Sequence, residues 1–221
     1  MIRVITIERE YGCGGGDIAR KVAERLGWKL WDQTLTSEIA RLMECDCAAV
    51  EQREEKRDPL SYRLFKSFMR GSNEGVQNAP RLRMVDADCI REVAERVVKS
   101  AAQEGECVIV GRGSAYYLQS RSDALHVFVY APFEQKVRRL QAAGKSEERA
   151  IELAETVDRE RAGYIKQYFG VDWPERHRFH LMINSALGED LVVETILNQV
   201  AMLRKPAAAS EPAVRNRRSH D

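Results

Sequence analysis

The chain has almost no net charge, little cysteine and no long apolar run, and each shortage removes a class of protein. Thirty-five Lys and Arg offset 34 Asp and Glu, leaving a formal charge of +1. So even a balance predicts neither the basic field of a general nucleic-acid binder nor a strongly acidic partner. No stretch approaches the roughly 20 apolar residues of a membrane helix. The first residues read as a strand rather than as the basic and apolar regions of a signal peptide. The expectation is a cytoplasmic protein without membrane contact. The five cysteines are Cys13, Cys45, Cys47, Cys89 and Cys107, an odd number at irregular spacing. Cys45-Asp-Cys47 lacks the two-residue gap of a zinc knuckle and has no histidine near it in sequence. Reduced thiols are therefore expected, with neither a disulfide framework nor a zinc site.

No internal repeat is visible. At 221 residues, 44% hydrophobic and 31% charged, the chain reads as soluble and globular, with one substantial core or one core carrying inserted subdomains. Its most informative segment runs from Arg3 to Gly27. The β-branched run Val4-Ile-Thr-Ile7 suits a buried strand. Gly12, Gly14, Gly15 and Gly16 follow, then Ile18, Ala19, Val22, Ala23 and Leu26 recur at helical spacing until Gly27 stops the helix. Strand, glycine loop and helix together make a phosphate cradle, because glycines let backbone N–H groups turn toward an anion and the helix N-terminus favours negative charge. A glycine-rich turn without a ligand is the alternative. Cys13 lies in this loop. An electropositive setting would make its thiol reactive, while a small residue filling a loop position is the plainer reading.

Further along, Trp28 to Asp32 reads as a short strand ending in an acid. Helical patterns follow over Thr34 to about Met69 and over Leu82 to Gln103. Cys107-Val-Ile-Val110 is an apolar strand running into Gly111-Arg-Gly-Ser114, and Leu125 to Tyr130 is another. A helix from Phe133 to Ala143 carries Lys136, Arg138 and Arg139. Ser146 is a candidate N-cap for a helix reaching Tyr168. Leu181-Met-Ile183 is the last strand, and a helix spans about Asp190 to Leu203. Alternation of this kind predicts an α/β fold with a parallel sheet. Ligands in such folds bind at the carboxyl ends of strands, where Gly12 to Gly16, Asp32, Arg112 and Asn184 fall. After Pro206 the composition turns to Ala, Ser, Pro and Arg. Residues 205–221 are expected to be a disordered basic tail, a solvated terminus rather than a nucleic-acid arm.

Five segments taken in order carry a family resemblance: Glu-Arg-Glu-Tyr-Gly-Cys-Gly-Gly-Gly-Asp-Ile-Ala from Glu8, Val-Ile-Val-Gly-Arg-Gly from Val108, Val-Phe-Val-Tyr-Ala-Pro from Val127, Asp-Arg-Glu-Arg-Ala-Gly-Tyr from Asp158 and Leu-Met-Ile-Asn-Ser from Leu181. With these the chain resembles the cytidylate kinase-like proteins, a branch of the nucleoside monophosphate kinases with the P-loop fold, from about Arg3 to Leu203. The resemblance implies a three-layer α/β kinase-like domain over residues 1–204, with a helical monophosphate-binding insert at about 34–103 and a helical lid at about 144–174. It implies transfer of the γ-phosphoryl of ATP, with Mg²⁺, to a nucleoside monophosphate of the CMP or dCMP type. By position, Arg9, Gly12, Gly14, Gly15, Gly16 and Asp17 would surround the ATP phosphates. Asp32 and Gln33 would border the acceptor, and Arg112 would contact its phosphate. Arg159 and Arg161 would close over the transferring group, and Asp158 would hold a lid arginine or help with metal. Arg112 as a turn residue, Asp32 as a helix cap, and Asp158, Arg159 and Arg161 as ordinary surface ion pairs are the alternatives.

The departures are as informative as the matches. The common loop pattern is G-x-x-x-x-G-K-[ST]. Here Arg9 stands at the first glycine, Gly15 at the lysine and Gly16 at the hydroxyl. The family's kinase-like branch commonly offers an arginine where Gly16 stands, and the acid of a Gly-Arg-Asp segment is Gly113. Arg9, Arg20, Lys21 or a lid arginine are candidates for the missing cation. Without one, a catalytically inactive nucleotide-binding sensor or regulatory scaffold of the same fold is the alternative function. Tyr164, Tyr168 and Trp173 read as packing residues, and His126 as a satisfied core histidine.

Overall fold

The structure is a computed structural model that describes residues 1–32, 34–35, 37–39, 42 and 87–204. Gln33, most of the expected insert and the tail over 205–221 lie outside the described residues. Five parallel strands form the sheet in the order β2-β3-β1-β4-β5. They are β1 Val4–Arg9, β2 Lys29–Trp31, β3 Cys107–Val110, β4 Ala124–Tyr130 and β5 Leu181–Asn184. The helices are α1 Gly15–Leu26, α2 Ala87–Glu104, the single turn α3 Ser114–Tyr117, α4 Phe133–Ala142, α5 Glu147–Phe169 and α6 Glu189–Arg204.

The central strands β1, β3 and β4 are buried on both faces, which is why their sequences are largely apolar runs rather than alternating ones. On one face Ile5, Ile7, Val108 and Val127 pack with Ile18 and Val22 of α1 and with Val192 and Ile196 of α6. On the other, Val4, Ile109 and Phe128 pack with Val93, Val97 and Val98 of α2, Tyr116 of α3 and Tyr164 of α5. The result is the three-layer arrangement expected. Local signals act as anticipated. Gly27 ends α1 in the left-handed conformation (φ 66°), and the Ser146 hydroxyl accepts from the Arg149 N–H at the start of α5. The aromatic residues of α5 and of the segment after it are packing elements: Tyr164 is fully buried with its ring centroid 4.6 Å from that of Tyr168, and Trp173 meets Phe128 edge-on at 5.3 Å.

Register decides where function falls. β3 pairs with β1 only as far as Ile7 opposite Val110, whereas β4 continues beside Glu8 and Arg9. The two charged residues of β1 therefore overrun β3. Beside them lies the turn Gly111-Arg112-Gly113, in which all three residues are left-handed (φ 64°, 60° and 67°). For Arg112 that conformation costs about 1–2 kcal/mol, the kind of strain that concentrates at functional sites.

Candidate active site

At the carboxyl end of the central strand the chain buries what it elsewhere keeps in solvent. Glu8, Arg9, Arg112 and Arg161 are each 4% exposed or less. Arg9, Glu10, Tyr11, Gly12, Gly15, Gly16 and Arg161 line a small cleft. The loop that forms its floor is held from three sides. The Cys13 carbonyl accepts from Arg139 of α4 and from the Ser185 hydroxyl. The Cys13 thiol donates to the Val129 carbonyl, so it is a buried structural contact rather than an exposed reactive group. Gly12 lies so close to α4 that an added Cβ would sit 3.1 Å from Lys136 Cβ, and its φ of 80° calls for glycine in any case.

The third hold is an ion-pair network that joins the loop to the long helix α5. Asp158 Oδ1 accepts from the Tyr11 N–H at 2.8 Å and from Arg161 at 3.4 Å, while Oδ2 accepts from Lys136 Nζ at 2.8 Å. Lys136 also lies 3.3 Å from Glu10. Arg161 in turn donates to the Arg9 carbonyl at 2.9 Å. Burial alone would weaken the proton's hold on Lys136, but the Asp158 and Glu10 carboxylates outweigh it and the net shift is upward. Lys136 is therefore a charged strut between α4, α5 and the loop.

The arginines are compensated less completely. Burial, and after it the charge of Arg9, lowers Arg112 to about 9, against the opposing pull of Asp32. Burial and then Arg9 likewise lower Arg161 to about 10, opposed by Asp158. Burial raises Glu8, although all three arginines surround it, and its Oε1 makes no hydrogen bond among the described residues. Three guanidiniums thus repel one another in a desolvated pocket, and a polyanion entering the cleft would relieve them. Guanidinium suits this task because it stays charged and presents paired donors to phosphate oxygens.

The sequence candidates fall into distinct places. Arg9, Arg112 and Arg161 come together at the strand ends; Asp32 acts electrostatically on Arg112, and Asp158 secures Arg161. Arg159 stands apart on the exposed side of α5. Gly14 caps α1 at φ 79°, with the Arg139 guanidinium against it. Asp17 is exposed and pairs with Arg20 at 3.3 Å. Asn184 accepts from the Ala186 N–H and so closes the turn after β5. Two other candidate cations lie on the outer surface of α1: Arg20 is engaged by Asp17 and Glu24, and Lys21 by Glu189 and Asp190 of α6. Gln33 lies outside the described residues. Lys136 and Glu8 belong to the site without having been assigned a part from sequence.

Among the described residues no group of three His, Cys, Asp or Glu is placed to hold a metal. The carboxylates nearest the loop are already engaged by Lys136, Arg161 or Arg20. These residues do not fit a protein-built Mg²⁺ cage; an ion carried in by a nucleotide would draw on phosphate oxygens and water.

A model of the cytidylate kinase-like family matches residues 4–187, most of the chain. The chain belongs to the cytidylate kinase-like family. Cytidylate kinase from Methanosarcina mazei is 30% identical over 80 residues, which cover 35% of this chain and 44% of that protein. The match thus spans less than half the length of that relative. Among solved structures, an uncharacterized protein from Eubacterium ventriosum superposes with a TM-score of 0.65 at 20% identity, covering 91% of this chain and 99% of its own. Shikimate kinase from Bacteroides thetaiotaomicron gives a TM-score of 0.51 at 15% identity, again over 91% of this chain and 99% of its own. At such identities the likeness is one of fold, that of the P-loop kinases. Within this cytidylate kinase-like frame the end of β1, the glycine loop and Arg161 of α5 line the cleft, and the Gly111–Gly113 turn follows β3, the neighbour of β1. No described helix is long and apolar enough to cross a membrane.

Proposed function

We propose that this cytidylate kinase-like chain is a phosphotransferase that moves the γ-phosphoryl of ATP, entering as its Mg²⁺ complex, to a nucleoside monophosphate of the CMP or dCMP type. One observation carries the reading: three arginines, buried and mutually repelling, converge where the glycine loop turns its backbone toward a cleft. Such a cluster gains most from a ligand with several negative charges. The acceptor's phosphate oxygen is already a nucleophile; as it bonds to the γ-phosphorus, the bond to the β–γ bridging oxygen breaks and ADP leaves. The protein's task is to align two anions and neutralise the charge between them. In this assignment the amides of Gly12 to Gly16 and the Arg9 side chain face the ATP phosphates. Arg112, with Asp32 beside it, faces the acceptor phosphate, and Arg161, positioned by Asp158, faces the transferring group. Arg159 would join them only if α5 moved. The insert at about 34–103 would hold the acceptor's nucleoside.

A second reading, a catalytically inactive nucleotide-binding sensor or scaffold, is favoured by the glycines at 15 and 16, where phosphate loops have a lysine and a hydroxyl. One experiment separates the two. Thermal stability is measured with ATP, GTP, CMP, UMP and dCMP, singly and in pairs, with and without Mg²⁺, and the best pair is assayed for transfer. Stabilisation by ATP, a further rise with one monophosphate, and transfer reduced on the order of a thousandfold in Arg112→Ala are the expected results. Saturable binding with no turnover would select the sensor, and no stabilisation by any nucleotide would remove both.

A further inference from the structure

We infer that Arg9 and Gly15 have exchanged roles, so that Arg9, from the end of β1, occupies the space and supplies the charge that the loop lysine has in other phosphate loops. The inference rests on the phosphate-site reading above and gives the place of Arg9 in it a structural cause. Its basis is steric. A Cβ added at Gly15 would lie 2.7 Å from Arg9 Cβ and 2.9 Å from Arg9 Cγ. The Cβ is fixed by the strand backbone, so it cannot swing aside as a side-chain tip would. Any side chain at position 15 therefore excludes any long side chain at position 9. A lysine at 15 requires a glycine at 9, as in the usual pattern; an arginine at 9 requires a glycine at 15, as here.

The far end of Arg9 is equally defined. A Cβ added at Gly111 would lie 1.9 Å from Arg9 Nη1, so the guanidinium crosses the strand end and rests on the Gly111 backbone. Three separated positions, 9, 15 and 111, are thus coupled by a single side chain. Arg9 is 4% exposed, yet it lines the cleft beside Gly12, Gly15, Gly16 and Arg161. Its backbone is pinned by Arg161 through the Arg9 carbonyl. Lys136 is held by Glu10 and Asp158, Arg139 by the Cys13 carbonyl and Ser185, and Arg20 and Lys21 by surface acids.

Four variants test the exchange: Arg9→Met, Arg9→Gly, Gly15→Lys, and Arg9→Gly combined with Gly15→Lys. For each, melting temperature and ATP affinity are measured on the full chain. Arg9→Met keeps the packing of the stem and removes the charge; it is expected to fold and to bind ATP about tenfold or more weakly, the loss of one charge-assisted contact. Gly15→Lys alone is expected to lower the melting temperature because it meets the Arg9 stem. Combining it with Arg9→Gly is expected to recover both stability and ATP affinity, to within about threefold of wild type, a non-additivity that independent sites would not show. Wild-type affinity in Arg9→Met, or a Gly15→Lys effect unchanged by removing Arg9, would overturn the exchange while leaving the phosphate site intact. A wild-type protein that fails to bind ATP would instead overturn the phosphate-site reading itself.

Discussion

The outer surface of α1 and the carboxyl end of β1 are built from the same side chains and do opposite things with them. Along α1, Arg20, Lys21 and Arg25 meet Asp17, Glu24, Glu189, Asp190 and Glu194 in exposed pairs. Water screens such pairs, and each contributes little to stability. A few residues away, Arg9, Arg112 and Arg161 are buried around Glu8, with burial and mutual repulsion working against two of the three charges. Desolvation is expensive, and charges buried at such a cost cluster at functional sites. Residue type therefore says little about function in this chain, whereas the surroundings of each charge say a great deal.

The largest separation between the two regions is expected from Arg161→Met. Transfer should fall on the order of a thousandfold, about 4 kcal/mol of transition-state stabilisation, while the fold, checked by melting temperature, survives. Asp158→Asn should act on stability as well as activity. It leaves Lys136, Arg161 and the Tyr11 N–H with a neutral partner, and a loss of about 3 kcal/mol in denaturant unfolding is expected. His126 extends the contrast to a buried group outside the cleft. Its Nδ1 lies 2.7 Å from the Thr6 hydroxyl, its ring stacks on His180, and burial foremost lowers it to about 4. The unfolded chain then binds more protons than the fold below about pH 6.5. Stability is complete above that value and is lost as pH falls toward about 4, by roughly 3 kcal/mol. Urea unfolding at several pH values should show this slope in wild type and a flatter one in His126→Asn. Arg25→Ala, on the exposed side, should change stability by no more than about 0.5 kcal/mol and leave transfer unchanged. A loss there comparable to that in Arg161→Met would collapse the distinction.

The scaffold was largely legible because its signals are local. A β-branched run, glycines with left-handed backbone and a serine N-cap each act within a few residues, and β1, α1 and the start of α5 lie where those signals put them. The resemblance brought Arg112 and Arg161 into view. The network around them was not legible, because it depends on direction across the fold. Lys136, Arg138 and Arg139 sit on one short helix, and spacing alone does not say that Lys136 turns to Asp158 while Arg138 stays exposed. Glu8 carried a faint signal, an acid directly after the apolar run of β1. The exclusion between Arg9 and Gly15 carried a stronger one, since both depart from the loop pattern together, but only the 2.7 Å approach explains why.

The most direct test of the buried arginine cluster as a phosphate site is the melting temperature of wild type and Arg161→Met across a range of ATP concentrations. At a hundredfold excess over the dissociation constant, wild type should gain about 2.7 kcal/mol, a rise of roughly 5–10 °C for a chain of this size. Arg161→Met should need at least about tenfold more ATP for the same rise. A wild-type melting temperature that stays flat up to millimolar ATP would contradict the account.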